Sequence, residues 1–264
     1  MNEESVVTEK SDGIVTVTLN RPDVHNAFSD EVIGRLQGIV KDVRAAGDVR
    51  GLFLKANGKS FSAGADLNWM KRAADYSYDE NLADANELGA LLADLYSLPF
   101  LTVALVQGPA IAGGLGLVTA CDVAVASESA WFAVTEVRIG LLPAVISPHV
   151  VRAIGPRAAR RYFLTGERFS VDDAHRLGLV HEVVGNQEEL DAAEQRLRKS
   201  MLSTAAGAVA DTKKLIEDVE LRPLTPEIVA DTAARIASRR ATDEGKEGIA
   251  SFLEKRKPKW ASGS

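Results

Sequence analysis

The pattern of apolar and polar residues over the first half of the chain predicts strands and helices in alternation. Residues 14–19 alternate and are rich in β-branched side chains, and the Asp12-Gly13 pair fits a hairpin turn after a strand at 6–8. Three later segments are apolar throughout, as expected of strands covered on both faces. They are residues 51–56, 101–106 and 122–126. Helical segments between them predict an α/β fold.

The helices are marked by capping residues and by apolar faces. Ser29 suits the N-cap of a helix whose apolar face begins at Val32. Beyond residue 145 strands nearly stop and helical patterns follow one another. These predicted helices cover residues 156–164, a turn capped by Ser170, and residues 187–202, 205–220, 226–240 and 243–257. The chain is therefore predicted to be an α/β core followed by a helical tail.

Composition narrows the class of protein. The 264 residues are 46% apolar and carry 31 basic against 37 acidic side chains, a net charge of −6, which argues against a nucleic-acid or anionic-membrane partner. Cys121 is the lone cysteine, which excludes a disulfide framework and favours a reducing cytoplasm. The acidic residues 1–5 do not resemble a secretory signal. Residues 97–121 lack charge, but prolines and glycines interrupt them, which indicates buried elements rather than a membrane span.

Two glycine-containing loops follow predicted strands. In residues 58–67, small side chains would let a ligand approach the backbone and leave amide N–H groups free; the alternative is a simple turn with Asp66 at a helix start. In residues 108–117, Gly113 and Gly114 open an apolar helix, which places unpaired N–H groups at the carboxyl edge of a strand. The alternative there is close helix–sheet packing that requires glycine.

Glu136 is the third candidate, because a glutamate between apolar neighbours can be a desolvated general acid or base. The alternative is a surface glutamate on an edge strand, paired with Arg138. The four histidines lie far apart, so no metal site is predicted. Cys121 lies in an apolar run and is predicted to pack in the core.

Together these features resemble the crotonase (enoyl-CoA hydratase/isomerase) superfamily over about residues 6–260. The motifs that carry the resemblance lie at residues 21–27, 61–67, 113–122, 135–143, 174–180 and 252–256. The resemblance implies a spiral of ββα units over residues 1–200. It also implies a C-terminal helical oligomerisation region over residues 201–264, which forms a homotrimer or a dimer of trimers.

The resemblance also assigns roles by position. The two amides of an oxyanion hole fall on Ala65 and Gly113, and a catalytic carboxylate falls on Glu136. A coenzyme A thioester is implied as the substrate, with no metal or redox cofactor and with the basic segment 255–259 near its phosphates. The residues predicted to contact coenzyme A are His25, Ala27, Ala63, Ala65, Asp66, Leu67, Asn68 and Gly113.

One position departs from the hydratase pattern, since the first of two catalytic glutamates falls on Gly116. Residues 66–70 and 142–151 resemble the bacterial methylglutaconyl-CoA and carboxygeranoyl-CoA hydratase branch, in which that glycine also occurs. The sequence therefore predicts hydration of a 2-enoyl-CoA in leucine or isoprenoid catabolism, with ordered water in the space beside Gly116.

Two other functions stay open. A single glutamate suits a Δ3,Δ2-enoyl-CoA isomerase, and the pocket could also belong to a non-catalytic acyl-CoA-binding protein. A substrate with a distal carboxylate would need a nearby cation, for which Arg72 and Arg138 are the candidates.

Overall fold

The structure, a computed structural model, describes residues 4–261. Residues 1–3, part of the segment predicted to lack a secretory signal, lie outside the described residues, as do 262–264. The described strands are β1 (Val6–Ser11), β2 (Ile14–Leu19), β3 (Gly51–Ala56), β4 (Leu101–Val106), β5 (Ala110–Ile111), β6 (Val123–Ser127), β7 (Trp131–Ala133), β8 (Arg168–Ser170) and β9 (Glu182–Val184). They confirm the four strands predicted around residues 14, 51, 101 and 122.

Ten α-helices occur within residues 4–261. They are α1 (Asp30–Ala45), α2 (Leu67–Ala73), α3 (Tyr78–Tyr96), α4 (Gly113–Ala120), α5 (Ser147–Thr165), α6 (Val171–Arg176), α7 (Gln187–Ser203), α8 (Ala206–Val219), α9 (Pro226–Ala241) and α10 (Asp243–Leu253). Short 3-10 helices cover Pro22–Val24, Glu136–Ile139 and Lys259–Ala261. The strands and helices form a mixed α/β fold with a helical C-terminal region, as the sequence predicted.

The main sheet has the order β1-β2-β3-β4-β6-β9. The β1–β2 pair is an antiparallel hairpin, and the remaining pairs are parallel. Asp12 and Gly13 have positive φ values of 54° and 76°, as the predicted hairpin turn requires. A second sheet, β5-β7-β8, lies beside it. Because parallel strands end at the same edge, the loops that follow them are brought together.

The main sheet is covered on both faces, which explains why β3, β4 and β6 are apolar throughout. One core contains Leu36, Leu91 and Leu115 from α1, α3 and α4. A second core joins Phe53 on β3 to Met201 on α7. Cys121, at the end of α4, is buried, and the prediction that it packs in the core is confirmed.

Two helices differ from their predicted bounds. The helix predicted to begin at Pro156 is the second half of α5, which starts at Ser147 and breaks at Gly155, where φ is 73°. The last helix ends at Leu253 rather than 257, and Lys255 has a φ of 55°. Among residues 4–261 no helix is long and apolar enough to cross a bilayer. The uncharged stretch 97–121 contains β4, β5 and α4.

Candidate functional site

The two predicted glycine loops lie side by side. Ser62 forms an isolated parallel bridge with Ala110, with Ser62 N donating to the Pro109 carbonyl at 3.1 Å and Ile111 N donating to the Ser62 carbonyl at 2.9 Å. On its other side the first loop pairs with residues 26–28. There Phe28 N donates to the Gly64 carbonyl and Asp66 N donates to the Phe28 carbonyl, each at 2.7 Å. Three segments distant in sequence therefore form one surface.

Two backbone amides in this surface are unused. Across residues 4–261, the N–H groups of Ala65 and Gly113 donate to no protein acceptor. Gly113 is the first residue of α4, so its amide lies at the positive end of the helix. A Cβ on Gly64 would lie 3.3 Å from the Ala112 Cβ, which places the α4 N-terminus beside the loop that carries Ala65. Both amides are therefore free to donate to a ligand.

Buried polar side chains hold the first loop in this shape. Asn26 is 3% exposed and donates from Nδ2 to the carbonyls of Asn57 and Ser60, each at 2.8 Å. Its Oδ1 accepts from Arg21 N at 2.7 Å. The Arg21 guanidinium donates to the Ala27 carbonyl at 2.8 Å and to Asp66 Oδ2 at 3.0 Å. These side chains therefore hold the backbone of the first loop in the shape that leaves the Ala65 amide free.

We expect Asn26→Ala to destabilise the protein by about 3 kcal/mol, because it leaves buried backbone groups without partners. Chemical denaturation measures the change in the free energy of unfolding. Asn86 is exposed and has no side-chain hydrogen bond within residues 4–261, so Asn86→Ala is the control and should change stability little. Equal stability of the two variants would contradict the scaffold role.

Asp66 is the N-cap of α2, as the simple-turn alternative predicted. Its Oδ1 accepts from the amides of Asn68 at 2.8 Å and Trp69 at 3.4 Å. Burial acts to raise the pKa of this carboxyl, but the two amides and the Arg21 guanidinium outweigh it and hold the pKa below its usual value. The carboxylate is thus fully engaged within the protein.

The other predicted contact residues lie around the same surface. The His25 carbonyl accepts from Ala63 N at 2.9 Å, and its exposed ring places Nδ1 3.1 Å from Ser60 Oγ. Ala27 is buried, whereas Leu67 and Asn68 at the start of α2 are exposed. The structure therefore brings these predicted residues together with Ala65 and Gly113.

Glu136 reaches the same edge through the second sheet. β5 and β7 are parallel neighbours, and Ala112 N donates to the Ala133 carbonyl at 3.0 Å. Glu136 lies three residues beyond Ala133, as Gly113 lies two residues beyond β5. The edge-strand alternative is wrong, since Glu136 begins a 3-10 helix and forms no ion pair within residues 4–261. The Arg138 side chain instead packs against Gly166.

The Glu136 carboxyl has an unusual environment. It is half-buried, and its Oε2 is inaccessible to solvent without a hydrogen-bond partner among the described residues. Burial raises the pKa of this carboxyl, against smaller opposing effects of the Glu136 and Thr135 amides. A carboxyl with a raised pKa exchanges protons more readily near neutral pH, which suits acid–base chemistry.

The raised pKa of Glu136 predicts a pH-dependent stability difference. A carboxyl whose pKa is higher in the folded state loses stabilisation as the pH rises through that folded value. We therefore expect Glu136→Gln to be more stable than wild type at pH 8, where the buried carboxyl is charged. The advantage should shrink as the pH falls through the raised pKa towards 4.5, measured by denaturation across this range. A constant difference would contradict the shift.

The space beside Gly116 is filled. A Cβ on Gly116 would lie 2.6 Å from Ile146 Cγ2 and 3.3 Å from Leu92 Cδ1. The prediction of ordered water in this space is therefore wrong, because the Ile146 side chain, which is 2% exposed, packs there. Since residues 116 and 146 are distant in sequence, no sequence pattern pointed to this contact.

Phe28 is a second residue that sequence reasoning missed. A Cβ on Gly113 would lie 2.9 Å from two carbons of the Phe28 ring, while Phe28 is also the bridge partner of Ala65. Phe28 thus lies between the segments that carry the two free amides. In the sequence Phe28 is only an apolar residue before the Ser29 helix cap, which does not indicate these contacts.

The basic residues predicted near a substrate carboxylate or the coenzyme A phosphates either form ion pairs or are exposed to solvent. Arg72 pairs with Asp30 at 2.9 Å, and Arg256 in the basic segment pairs with Glu247 at 2.6 Å. Lysines 255, 257 and 259 are exposed. Within the described part of the chain, no three His, Cys, Asp or Glu side chains are grouped as metal ligands.

Comparisons with known proteins agree with this architecture. The sequence model of the enoyl-CoA hydratase/isomerase family matches residues 9–263. An enoyl-CoA hydratase structure from Shewanella pealeana has a TM-score of 0.93 at 42% identity, covering 97% of this chain and 96% of that chain. Pseudomonas aeruginosa AtuE also has a TM-score of 0.93, at 36% identity, covering 98% and 100%. Human enoyl-CoA hydratase domain-containing protein 2, mitochondrial, is 35% identical over 256 residues, 94% of this chain and 85% of its own.

Proposed function

Because the chain belongs to the enoyl-CoA hydratase/isomerase family, an enzyme family, we propose that it reversibly hydrates a 2-enoyl-CoA thioester. The amides of Ala65 and Gly113 bind the thioester carbonyl and stabilise the enolate that forms when water adds. One such donor contributes about 3 kcal/mol to transition-state stabilisation. Glu136 handles the proton. The backbone of His25, Ala27 and residues 63–68 contacts coenzyme A, which is substrate rather than cofactor.

A single carboxylate can complete this reaction. The Glu136 carboxylate takes a proton from water as the water oxygen bonds to C3, and the electron pair of the double bond moves into the thioester enolate. The protonated Glu136 then gives that proton to C2, which restores the carbonyl and the carboxylate. Atoms and charge balance without a second glutamate.

The observation that carries this proposal is the unpartnered Oε2 of Glu136, which follows β7, the parallel neighbour of the strand β5 that leads to Gly113. A buried carboxylate oxygen without a partner is costly, and a bound water or substrate hydrogen-bond donor would satisfy it. The raised pKa of the same group suits both halves of the proton transfer.

A second candidate is the Δ3,Δ2-enoyl-CoA isomerase reaction. Glu136 would take a proton from C2 of a 3-enoyl thioester and return it at C4, so water is not consumed. The packing of Ile146 against Gly116 favours this candidate, because it leaves no room for a second carboxylate or its water.

The acyl group proposed from the branch resemblance is methylglutaconyl or carboxygeranoyl. Both carry a distal carboxylate, which a cation would bind. Arg72 on α2 is the stronger candidate, because its partner Asp30 is exposed and a substrate carboxylate could replace it. The Arg138 side chain packs against Gly166 and its charge helps lower the pKa of Glu167, so it is the weaker candidate.

Assays of the purified protein with three substrates test these proposals. Hydration of 3-methylglutaconyl-CoA and crotonyl-CoA supports the hydratase, and conversion of a 3-enoyl-CoA without hydration supports the isomerase. Tight binding of acyl-CoA with no turnover of any substrate would contradict both and indicate a non-catalytic acyl-CoA-binding protein.

We also propose that residues 201–264 assemble the protein into a trimer or a dimer of trimers, outside the core formed by residues 1–200. The helices of this region and the connection between α8 and α9 leave many large apolar side chains exposed, which an intersubunit contact would cover. They include Ile216, Leu221, Leu224, Val229, Ile236, Ile249, Phe252 and Leu253. Analytical ultracentrifugation tests this proposal, and a monomer at micromolar concentration would contradict it.

A further inference from the structure

A basic groove lies between the second half of α5 and the end of α6. Its volume is about 560 Å³, within the range of small-molecule sites. Arg157, Arg160 and Arg161 line one side, and Arg176 reaches it from α6. None of the lining residues belongs to the candidate functional site.

The charges in this groove are not balanced. Arg157, Arg160 and Arg161 lie three and four residues apart, so they share one helix face and repel each other. Arg161 pairs with Glu167 at 2.6 Å, and Arg176 pairs with Asp173 at 2.6 Å. Neither Arg157 nor Arg160 has a side-chain hydrogen bond or ion pair within residues 4–261. Two guanidinium groups therefore remain uncompensated in a chain whose net charge is −6.

Tyr162 adds an unused donor to the lining. The residue is 2% exposed, and its ring stacks on Phe169 with centroids 4.2 Å apart. Across the described part of the chain its hydroxyl has no hydrogen-bond partner, although the side chain lines the groove. Burial, followed by the charge of Asp173, raises the pKa of this hydroxyl, so it stays protonated. The hydroxyl oxygen is not among the buried unpartnered atoms of the described residues, so it opens to solvent and is free to donate to a ligand in the groove.

We propose that this groove binds the phosphate groups of a small molecule that carries a diphosphate. Guanidinium groups match phosphate oxygens with paired hydrogen bonds, and the Tyr162 hydroxyl adds another donor. Two free guanidiniums can compensate two negative charges, which a diphosphate supplies and a monocarboxylate does not. A free nucleotide and coenzyme A both contain this group.

Isothermal titration calorimetry on the full-length protein tests the proposal with pyrophosphate, ADP and coenzyme A as separate ligands. Pyrophosphate should bind one site per chain with a Kd below about 1 mM, weakening as salt rises. The variant Arg157→Ala/Arg160→Ala should bind it at least about tenfold more weakly. Tyr162→Phe should also weaken binding without loss of the fold. Arg196→Ala is the matched control, because Arg196 is an exposed arginine on α7 paired with Glu182.

The ADP and coenzyme A titrations identify the source of the diphosphate. If ADP binds and the double variant loses that binding, a nucleotide occupies the groove. If coenzyme A binds at two sites in wild type and one in the double variant, coenzyme A also enters it. No pyrophosphate binding by wild type, or equal binding by wild type and the double variant, would overturn the proposal.

Discussion

Glu136→Gln should lower kcat by about 10²- to 10⁴-fold, the usual contribution of a general acid–base group. Glutamine keeps the size of the side chain but cannot exchange a proton at the unpartnered Oε2 position. Because the proposed substrate contacts are the amides of Ala65 and Gly113, which the substitution leaves unchanged, KM should change much less than kcat. Steady-state kinetics, on whichever of the three assayed substrates the protein converts, gives both constants.

The matched control is Glu128→Gln, at an exposed glutamate in the turn after β6. It removes one negative charge from the chain without touching the site, so its kinetics should match wild type. Full activity of Glu136→Gln on every substrate would show that Glu136 takes no part in the reaction. Equal loss in both variants would indicate a general charge effect.

Gly113→Ala should lower kcat by about 10²-fold, because a small misplacement of binding groups has an effect of that size. The new Cβ would lie 2.9 Å from two carbons of the buried Phe28 ring, so the ring must shift. Phe28 pairs with Ala65, and its displacement moves one of the two amides relative to the other. Overpacking should also reduce the free energy of unfolding by about 1–3 kcal/mol.

A second-site change separates this effect from general instability. Phe28→Leu provides room for the new methyl group, so the double variant Gly113→Ala/Phe28→Leu should be more active than Gly113→Ala alone. Phe28→Leu by itself is the control for the lost ring. A double variant less active than either single variant would contradict the proposed link between the Phe28 ring and the amides.

Local signals explain how much of the fold the sequence could predict. The Asp12-Gly13 turn, the Ser29 cap and Pro226 at the start of α9 act on neighbouring residues, and each lies where the pattern predicted. The first half of α5 was missed because Ile146 offers no side-chain cap before it. Gly155 then separates this half from the part that begins at Pro156.

The candidate site was predictable only in part, for a physical reason. Glycine-containing loops after predicted strands indicated free amides in both segments, and the resemblance to the crotonase superfamily placed them on Ala65 and Gly113. The contacts of Ile146 with Gly116 and of Phe28 with Gly113 join residues far apart in sequence. Such contacts depend on how loops and helices pack, which apolar residue types alone do not specify.

A crystal structure with a bound 3-hydroxyacyl-CoA product tests the central claim most directly. We predict the thioester oxygen about 3 Å from both the Ala65 and Gly113 nitrogens, as an oxyanion hole requires. The product hydroxyl should lie within hydrogen-bond distance of Glu136 Oε2. A thioester oxygen bound away from either amide, or a hydroxyl group out of reach of Glu136, would contradict the account.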